Sequence, residues 1–334
     1  AKLGEVCLLK AGKFVSANDI SPEYNKGLYP CFGGNGIRGY VADYTHDGEF
    51  PLIGRQGALC GNVNLASGKF HATEHAVVVQ PKAEMNVHWL YYALNAMNLG
   101  QYATGAAQPG LAVSKLETLS IEIPNISEQN KIAQTLYKVE QLVNFRKQQL
   151  AKLDELVKAR FVEMFGNKDY PRMKWNDVFN TTTGKLDSNA AVANGKYPFF
   201  TCSKEPLKID SYAFDQTALL LAGNNAAGKY DVKYYQGKFN AYQRTYVLSL
   251  KHNWSYKLFQ YQLEDKLLYL QTKSLGGLTK YLTLKILGEL DFIVPPLALQ
   301  NEFAAFVEHV DEQKQTVQQS LDKLELMKKA LMQE

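Results

Sequence analysis

The sequence has few cysteines, no long hydrophobic run and little net charge. Its four cysteines are scattered, with no C-x-x-C pair and no histidine at ligand spacing: Cys7, Cys31, Cys60 and Cys202. This pattern argues against a disulfide framework or a zinc site, so we interpret them as reduced packing residues. No apolar segment approaches the roughly 20 residues of a membrane-spanning helix. The first residues also lack a secretory signal. We therefore expect a cytoplasmic protein without a membrane partner.

Motifs that would indicate catalysis are incomplete. Residues 223–229 have P-loop spacing, but Tyr230 replaces the magnesium-binding Ser/Thr, and the following DVKYY predicts a strand instead of a helix. Residues 32–36 match the F-x-G-x-G loop of S-adenosylmethionine-dependent methyltransferases, but the chain has no N-P-P-Y or D-P-P-Y tetrapeptide. The six histidines form no zinc pattern such as H-E-x-x-H. We predict no catalytic residue, no metal and no cofactor.

What is present is the composition of an ordinary globular protein. Hydrophobic residues make up 46% and charged residues 21% of the 334 positions, enough chain for two domains with separate cores. The total charge of +4 is too small to indicate nucleic acid, but its distribution is uneven. Residues 170–295 carry +6, against −1 for residues 1–124, +2 for 125–169 and −3 for 296–334. Such a distribution is typical when one segment contacts phosphates.

The chain repeats itself with a period of about half its length. The pattern G-x5-L-x-V-x2-L-x2-L-x-I-x-I-P begins at Gly105 and recurs, with hydrophobic replacements, from Gly276. The pair Gln129-Asn130 then recurs at 300–301, at the same offset of 171. Earlier in each half, Tyr29-Pro30 corresponds to 197–198 and Lys69-Phe70 to 238–239. The chain is therefore interpreted as a tandem duplication with loop-length drift.

Each half predicts a mixed domain followed by a long helix. Short apolar runs between glycine-rich turns indicate a curved sheet, and KFHATEHAVVV is predicted to be one strand. From about Ser127 and Ala298, apolar residues recur every three or four positions, just after Pro124 and Pro295. We therefore predict domains at 1–124 and 170–295, with long helices at 125–169 and 296–334.

The two helices are predicted to cover each other. A narrow apolar stripe on a helix of this length must be buried, and an antiparallel coiled coil would bury both. About 38 residues would form a rod of roughly 57 Å. The apolar stripe is interrupted near Arg146 and at 313–315. Because of these interruptions, the alternative that each helix packs on its own domain stays open.

The order of the segments resembles a known family. GNGIRGYVADY, PLIGRQGALCGNV, KFHATEHAVVV and TGAAQPGLAVSKLETLSIEIPNISEQNKIA are similar to the target recognition domain and helix of Type I restriction-modification specificity subunits, and the second half repeats this order. The resemblance covers nearly the whole chain. It implies an α+β fold of two pseudo-symmetric target recognition domains separated by two long antiparallel coiled-coil helices.

The same resemblance implies a non-catalytic subunit that reads a bipartite, interrupted target on double-stranded DNA. Its partners would be two methyltransferase (modification) subunits and motor-nuclease (restriction) subunits, which would perform methylation and cleavage. The alternative is a regulatory or protein-interaction module, such as a restriction inhibitor, whose helices dimerise and whose domains read no DNA sequence.

Candidate DNA-binding residues follow from side-chain chemistry. Arginine pairs with guanine, glutamine and asparagine pair with adenine, and lysine and arginine contact phosphates. Loop tips flanked by glycine are favoured because they can enter a groove. The candidates are Arg38 and Arg55 for guanine; Gln56, Asn62, Asn225 and Gln243 for adenine; Lys229, Lys233 and Arg244 for phosphates; and Asn224 as a further loop residue. The residues favoured by their glycine-flanked loops are Arg55, Gln56, Asn224 and Asn225. Tyr230, Tyr234, Tyr235 and Tyr242 lie between the basic residues. Exposure to solvent alone is the alternative for each.

Overall fold

A computed structural model describes residues 1–105, 109–166, 168–226 and 228–332. The chain divides into two units, Ala1–Gln148 with Gln318–Glu334, and Gln149–Val317. Each unit contains one mixed domain together with part of each long helix. The α+β class is confirmed, while the predicted boundaries after residues 124, 169 and 295 stay predictions.

The first unit contains two antiparallel-rich sheets. Its strands are β1 (Cys7–Ala11), β2 (Tyr29–Gly33), β3 (Gly36–Val41), β4 (His46–Asp47), β5 (Phe50–Gly54), β6 (Val63–Ala66), β7 (Lys69–Ala72) and β8 (Ala76–Pro81). Its helices are α1 (Leu3–Val6), α2 (Val87–Ala96), α3 (Val113–Glu117) and the first part of α4 (Ile126–Phe165). The sheet orders are β1-β8-β5-β6 and β3-β2-β7-β4. Trp89, Leu90 and Leu94 of α2 are buried in one cluster with Ile53 and Val77 of the first sheet.

The single strand predicted for KFHATEHAVVV is wrong. The segment forms β7 in one sheet and β8 in the other, joined by the turn at 73–75. The turn is fixed by the backbone, because Thr73 N donates to Phe32 O (2.9 Å) and Arg55 N donates to His75 O (3.0 Å). His71 is buried, and its Nε2 lies 3.2 Å from the carbonyl oxygen of Lys13. The two histidines therefore do not share a strand face.

The second unit repeats this plan with one larger sheet and two two-stranded sheets. Its strands are β9 (Arg172–Lys174), β10 (Phe179–Thr183), β11 (Tyr197–Phe200), β12 (Leu207–Ile209), β13 (Phe214–Ala222), β14 (Asn224–Asn225), β15 (Val232–Ala241), β16 (Thr245–Leu250), β17 (Lys280–Tyr281) and β18 (Asp291–Ile293). Its helices are α5 (Trp175–Val178), α6 (Tyr256–Asp265), α7 (Leu267–Lys273), α8 (Leu284–Gly288) and the first part of α9 (Leu297–Leu331). The order β10-β16-β13-β15-β11-β12 forms a six-stranded sheet.

A glycine lies where the ladder of the first half is interrupted and that of the second half continues. Gly48 adopts φ +139° between β4 and β5, a conformation that favours glycine, and the strand is interrupted there. The corresponding residue, Gln216, pairs with Gly237 inside the continuous β13–β15 ladder. The duplication is thus preserved in topology while the ladder differs locally.

Two buried glutamines join the domains to the long helices. Gln129, 3% exposed, accepts a hydrogen bond from Asn86 N at the start of α2 and donates one to Pro124 O, both at 2.9 Å. The equivalent bonds of Gln300, 1% exposed, are made with Ser255 N (3.0 Å) and Pro295 O (2.8 Å). We call this repeated contact the glutamine clamp. It satisfies the same backbone groups in each half.

The long helices pair antiparallel within each unit, as predicted. In the first unit, Glu140 of α4 contacts Lys328 of α9 (2.7 Å) and Lys147 contacts Glu325 (2.8 Å). In the second unit, the corresponding pairs are Asp154–Lys314 (2.5 Å) and Arg160–Glu302 (2.7 Å). At the interruption of the apolar stripe, Arg146 Nε donates to Ser320 Oγ (3.2 Å).

The alternative, in which each helix packs on its own domain, also holds in part. Phe303 of α9 contacts Tyr261 of α6, with ring centroids 5.3 Å apart, and Glu140 of α4 accepts a hydrogen bond from Tyr92 of α2 (2.9 Å).

The first long helix begins slightly earlier in the sequence than the predicted start at Ser127. Asn125 Oδ1 accepts from Glu128 N (3.0 Å), so Asn125 caps α4 and the helix begins at Ile126.

Candidate nucleic-acid interface

Three turns of the first unit meet at one end of its sheets. They are residues 34–35 between β2 and β3, residues 55–62 between β5 and β6, and residues 73–75 between β7 and β8. A Cβ on Gly54 would lie 1.9 Å from Gly34 O, so the first two turns approach closely only because glycine is present. A pocket of about 430 Å³ lies here, lined by residues that include Asn35, Arg38, Gln56 and His75.

The pocket brings together two of the predicted DNA-binding residues. Arg38 and Gln56 are both exposed and both line it. The Arg38 side chain lies over Gly33, where an added Cβ would be 2.5 Å from Arg38 Cδ. The backbone of this turn therefore restricts the base of the Arg38 side chain, while its exposed end can donate to a ligand.

Asn62 and Arg55 lie beside this pocket instead of lining it. Asn62 Nδ2 donates to Asn35 Oδ1 (3.0 Å), so part of its hydrogen-bonding capacity is used within the unit. Arg55 is half-buried, its carbonyl accepts from Leu111 N (2.9 Å), and its Nε has no hydrogen-bond partner among the described residues. A buried donor without a partner carries a desolvation cost that a ligand acceptor would offset.

The second unit contains equivalent turns. Asn224 and Asn225 form β14 and pair with Tyr281 and Lys280 of β17. Gly223 N donates to Arg244 O (2.8 Å), as Arg55 N does to His75 O in the first unit, so these turns are also joined by the backbone. The structure thus places Asn224, Asn225 and Arg244 on adjoining turns.

The remaining predicted residues of this unit differ in how free their side chains are. Gln243 is exposed, with Nε2 3.4 Å from Asp187 Oδ2, and Lys229 is exposed at the loop tip. Lys233 donates to the carboxylate of Asp231 and to the carbonyl of Ser203 (3.0 Å), with only 17% of its side chain exposed. Its ammonium is therefore largely used within the unit.

The interleaved tyrosines do not form one exposed stacking surface. Tyr230 is 7% exposed and belongs to the core of the second unit, so its predicted surface role is wrong. Tyr235 packs on Phe200 (5.2 Å between ring centroids) and Phe239 (5.7 Å). Tyr234 is 40% exposed and Tyr242 is half-buried. Tyr235 shares a face of β15 with Phe239, since alternate residues of a strand face the same side, whereas Tyr230 precedes this strand and packs in a different buried cluster.

Sequence reasoning missed Asn35 and His75, which line the pocket of the first unit. The glycine pattern F-G-G-N-G indicates a turn around Asn35 and would have identified that residue. No comparable signal marks His75, because it lies inside a segment with the composition of a strand.

Burial explains the expected inertness of three thiols. It raises the pKa of Cys7 to about 11 and also raises the pKa of Cys31 and Cys60. Within the described ranges, no group of three or more His, Cys, Asp or Glu side chains is arranged to hold a metal ion. None of the helices described is long and apolar enough to span a membrane.

Comparison with known families gives a match over most of the chain. The profile of the family described as "Type I restriction modification DNA specificity domain" matches residues 1–155 and again 167–326. The chain is 53% identical over 143 residues to the Escherichia coli "Type I restriction enzyme EcoprrI specificity subunit", covering 42% of this chain and 36% of that protein. It is 51% identical over 80 residues to the Escherichia coli EcoDI specificity subunit, covering 24% and 17%, respectively. The chain thus matches about a third or less of the length of these curated relatives.

Two solved structures have a similar fold. One is described as a Type I restriction-modification system S subunit from M. genitalium, with a TM-score of 0.69 at 19% identity, covering 100% of this chain and 94% of that chain. Another, from a study of complex assembly and conformational transition of the type I R-M system, has a TM-score of 0.53 at 14% identity, covering 99% and 95%. At these identities the similarity concerns the fold.

Proposed function

From the premise that this chain belongs to the family of Type I restriction modification DNA specificity domains, we propose that it is the DNA-recognition subunit of a Type I restriction-modification complex. Each unit reads one half of an interrupted duplex sequence. The chain itself catalyses neither methyl transfer nor DNA cleavage.

The observation that carries this proposal is the duplicated set of turns. In each unit, residues in or beside the turns at the end of the sheets present groups able to read base edges: Arg38 and Gln56 in the first, Asn224, Gln243 and Arg244 in the second. Bidentate pairing of arginine with guanine or of an amide with adenine is worth about 1–3 kcal/mol against the wrong base. Two such sets in one chain support a bipartite target.

The partners are proposed from the relatives. Both Escherichia coli relatives are named as specificity subunits of restriction enzymes, and one similar structure belongs to a study of assembly of the type I R-M system. We propose that two modification subunits and the restriction subunits bind this chain. Adenine methylation and cleavage then reside in those subunits.

The proposal is tested by measuring duplex retention on filters with the purified methyltransferase partner present. The target is first identified by sequencing the methylome of cells that express the chain with its partner. We expect retention of that duplex at salt concentrations that release scrambled duplex. The double variant Arg38→Ala/Gln56→Ala should lower this preference by at least about tenfold.

Asn25→Ala/Lys26→Ala is the matched control, since both residues are exposed and lie outside the pocket. Equal retention of target and scrambled duplex would contradict the proposal and favour the regulatory protein-interaction module. Methyl transfer by the isolated chain would contradict its non-catalytic role.

A further inference from the structure

We propose that Leu278 makes an apolar contact with the 5-methyl group of a thymine, in the half of the target that the second unit reads. The inference deepens the proposed function and rests on it. Leu278 lies in residues 275–281, between α7 and α8, and this segment has no role in the chemistry considered so far. We call residues 275–281 the leucine hairpin.

The leucine hairpin holds Leu278 out in solvent. Leu278 is 95% exposed, more than any other large hydrophobic residue in the described ranges. The ends of the hairpin are joined, because Leu275 N donates to Tyr281 O (3.0 Å) and Tyr281 N donates to Leu275 O (2.8 Å). Gly276 adopts φ +99°, and a Cβ there would lie 2.2 Å from Thr279 O, so the turn requires glycine. Leu278 gains little from folding in this position, whereas its burial against a ligand would be favourable.

The leucine hairpin is joined through its backbone to a turn that we propose reads bases. Asn224 pairs with Tyr281 in the β14–β17 ladder, and Leu282 N donates to Gly223 O (2.8 Å). These bonds fix the hairpin beside the turn that follows β13. Leu278 and the amide of Asn224 are therefore carried by two connected loops.

The first unit contains the same connection. Thr104 and Gly110, at an offset of 171 from the ends of the leucine hairpin, exchange two backbone hydrogen bonds of 2.8 Å. Gly105 follows Thr104 and adopts φ +99°, the value of its counterpart in the second unit. Leu111 N then donates to Arg55 O (2.9 Å). In each unit, a segment closed in this way supports the turn that follows β5 or β13, so the connection belongs to the duplicated plan.

The charge around Leu278 favours DNA as the molecule that covers it. Residues 273–285 contain three lysines and no acidic residue. Lys273 and Lys285 are exposed. Lysine side chains attract phosphates, whereas they would have to lose water against an apolar protein surface. The most exposed leucine described is thus carried by a positively charged segment.

The neighbouring amide indicates which group of DNA Leu278 contacts. An asparagine amide, such as that of Asn224, pairs with N6 and N7 of adenine in the major groove. The thymine opposite that adenine presents its 5-methyl group in the same groove, where the other reading groups of the bases are polar. A leucine and an asparagine on connected loops therefore match the apolar and polar sides of one adenine–thymine pair.

The test measures binding of the complex with the methyltransferase partner to its target duplex, with each thymine replaced by uracil one at a time. Uracil differs from thymine only by lacking the methyl group. We expect one replacement, in one half of the target, to weaken wild-type binding about fourfold, the value for one methyl-sized group. Leu278→Ala should weaken binding of the unmodified target at least as much, and the same uracil should then have no further effect. Leu278→Met keeps the apolar volume and should retain both the affinity and the response to uracil.

Leu268→Ala is the matched control, because Leu268 is 76% exposed on α7 of the same unit and lies outside the leucine hairpin. It should bind like wild type and respond to the same uracil. Undiminished binding by Leu278→Ala, or no uracil that affects wild type more than Leu278→Ala, would overturn the thymine contact. Wild-type binding without sequence preference would instead overturn the proposed function itself.

Discussion

Two lysines near one loop of the second unit have different environments. Lys229 is exposed, whereas Lys233 is bound to Asp231 and Ser203. We therefore predict that Lys229→Gln lowers the salt slope of DNA binding by about 0.9, while Lys233→Gln leaves it nearly unchanged. Equilibrium binding of the complex from 50 to 200 mM salt measures both. Equal losses would mean that Lys233 leaves Asp231 to bind phosphate.

The thiol of Cys202 gives a second prediction at the residue scale. It is partly exposed, and its Sγ lies 3.7 Å from Arg244 O. At pH 8, iodoacetamide should alkylate Cys202 first, because burial keeps the pKa of Cys7 at about 11 and that thiol protonated. Target duplex should slow alkylation of Cys202 several-fold in the complex.

Mass spectrometry of the alkylated peptides follows the rate, and Cys202→Ser removes the fast reaction as a control. An unchanged Cys202 rate in the presence of saturating target duplex would place the DNA contact away from this turn.

Side-chain chemistry alone identified residue types that can bind DNA, but not whether each side chain is exposed and free of other contacts. Gln56 was predicted correctly to lie on an accessible turn, because glycine spacing marks such turns locally. Arg38 is exposed at the same pocket, but it lies on β3. The hydrogen bond from Lys233 to Ser203 was not predicted, because the two residues are 30 positions apart in sequence. Burial of Tyr230 was missed since it depends on packing against residues from α7 and α8 that no local pattern specifies.

At the scale of elements, the paired helices are held by a partly buried polar contact. Glu140 of α4 binds both Lys328 of α9 and the hydroxyl of Tyr92, and burial together with this carboxylate raises the pKa of Tyr92. We predict a coupling energy of about 1 kcal/mol between Glu140 and Lys328 in a double-mutant cycle of alanine variants, because both side chains are less than a third exposed.

The matched control is the pair Lys152–Glu155, whose side chains are 76% and 66% exposed on one helix. Its coupling energy should be below about 0.5 kcal/mol. Urea unfolding of the four variants of each cycle gives the values. Similar coupling in both cycles would show that the contact adds nothing to helix pairing beyond a surface ion pair.

The helices were more predictable than the strands for a physical reason. A helix of 40 residues repeats its apolar spacing many times, so an interruption at Arg146 did not hide α4. A strand of four residues offers no such redundancy. The segment KFHATEHAVVV therefore gave no sign that the chain leaves one sheet after Ala72 and enters another at Ala76.

For the whole molecule, duplication predicts modular recognition. Each unit has its own core and its own set of turns. Exchange of residues 1–124 for the equivalent segment of another family member should change one half of the methylated sequence and preserve the other. Methylome sequencing of cells expressing the chimera with its partner reads both halves. Loss of both halves in a folded chimera would mean that the two units recognise DNA jointly.

Because of the glutamine clamp, the DNA-reading residues of a domain can change in evolution without changing how that domain is attached to its long helix. The side-chain amides of Gln129 and Gln300 bond the backbone amides of Asn86 and Ser255 and the carbonyls of Pro124 and Pro295. Any amino acid except proline supplies such an amide, so mutation within a domain rarely removes the partner of the clamp. The base-reading turns can therefore accumulate substitutions while the glutamine clamp is retained. A descendant protein can acquire a new DNA target sequence without a new contact between its domains and its long helices.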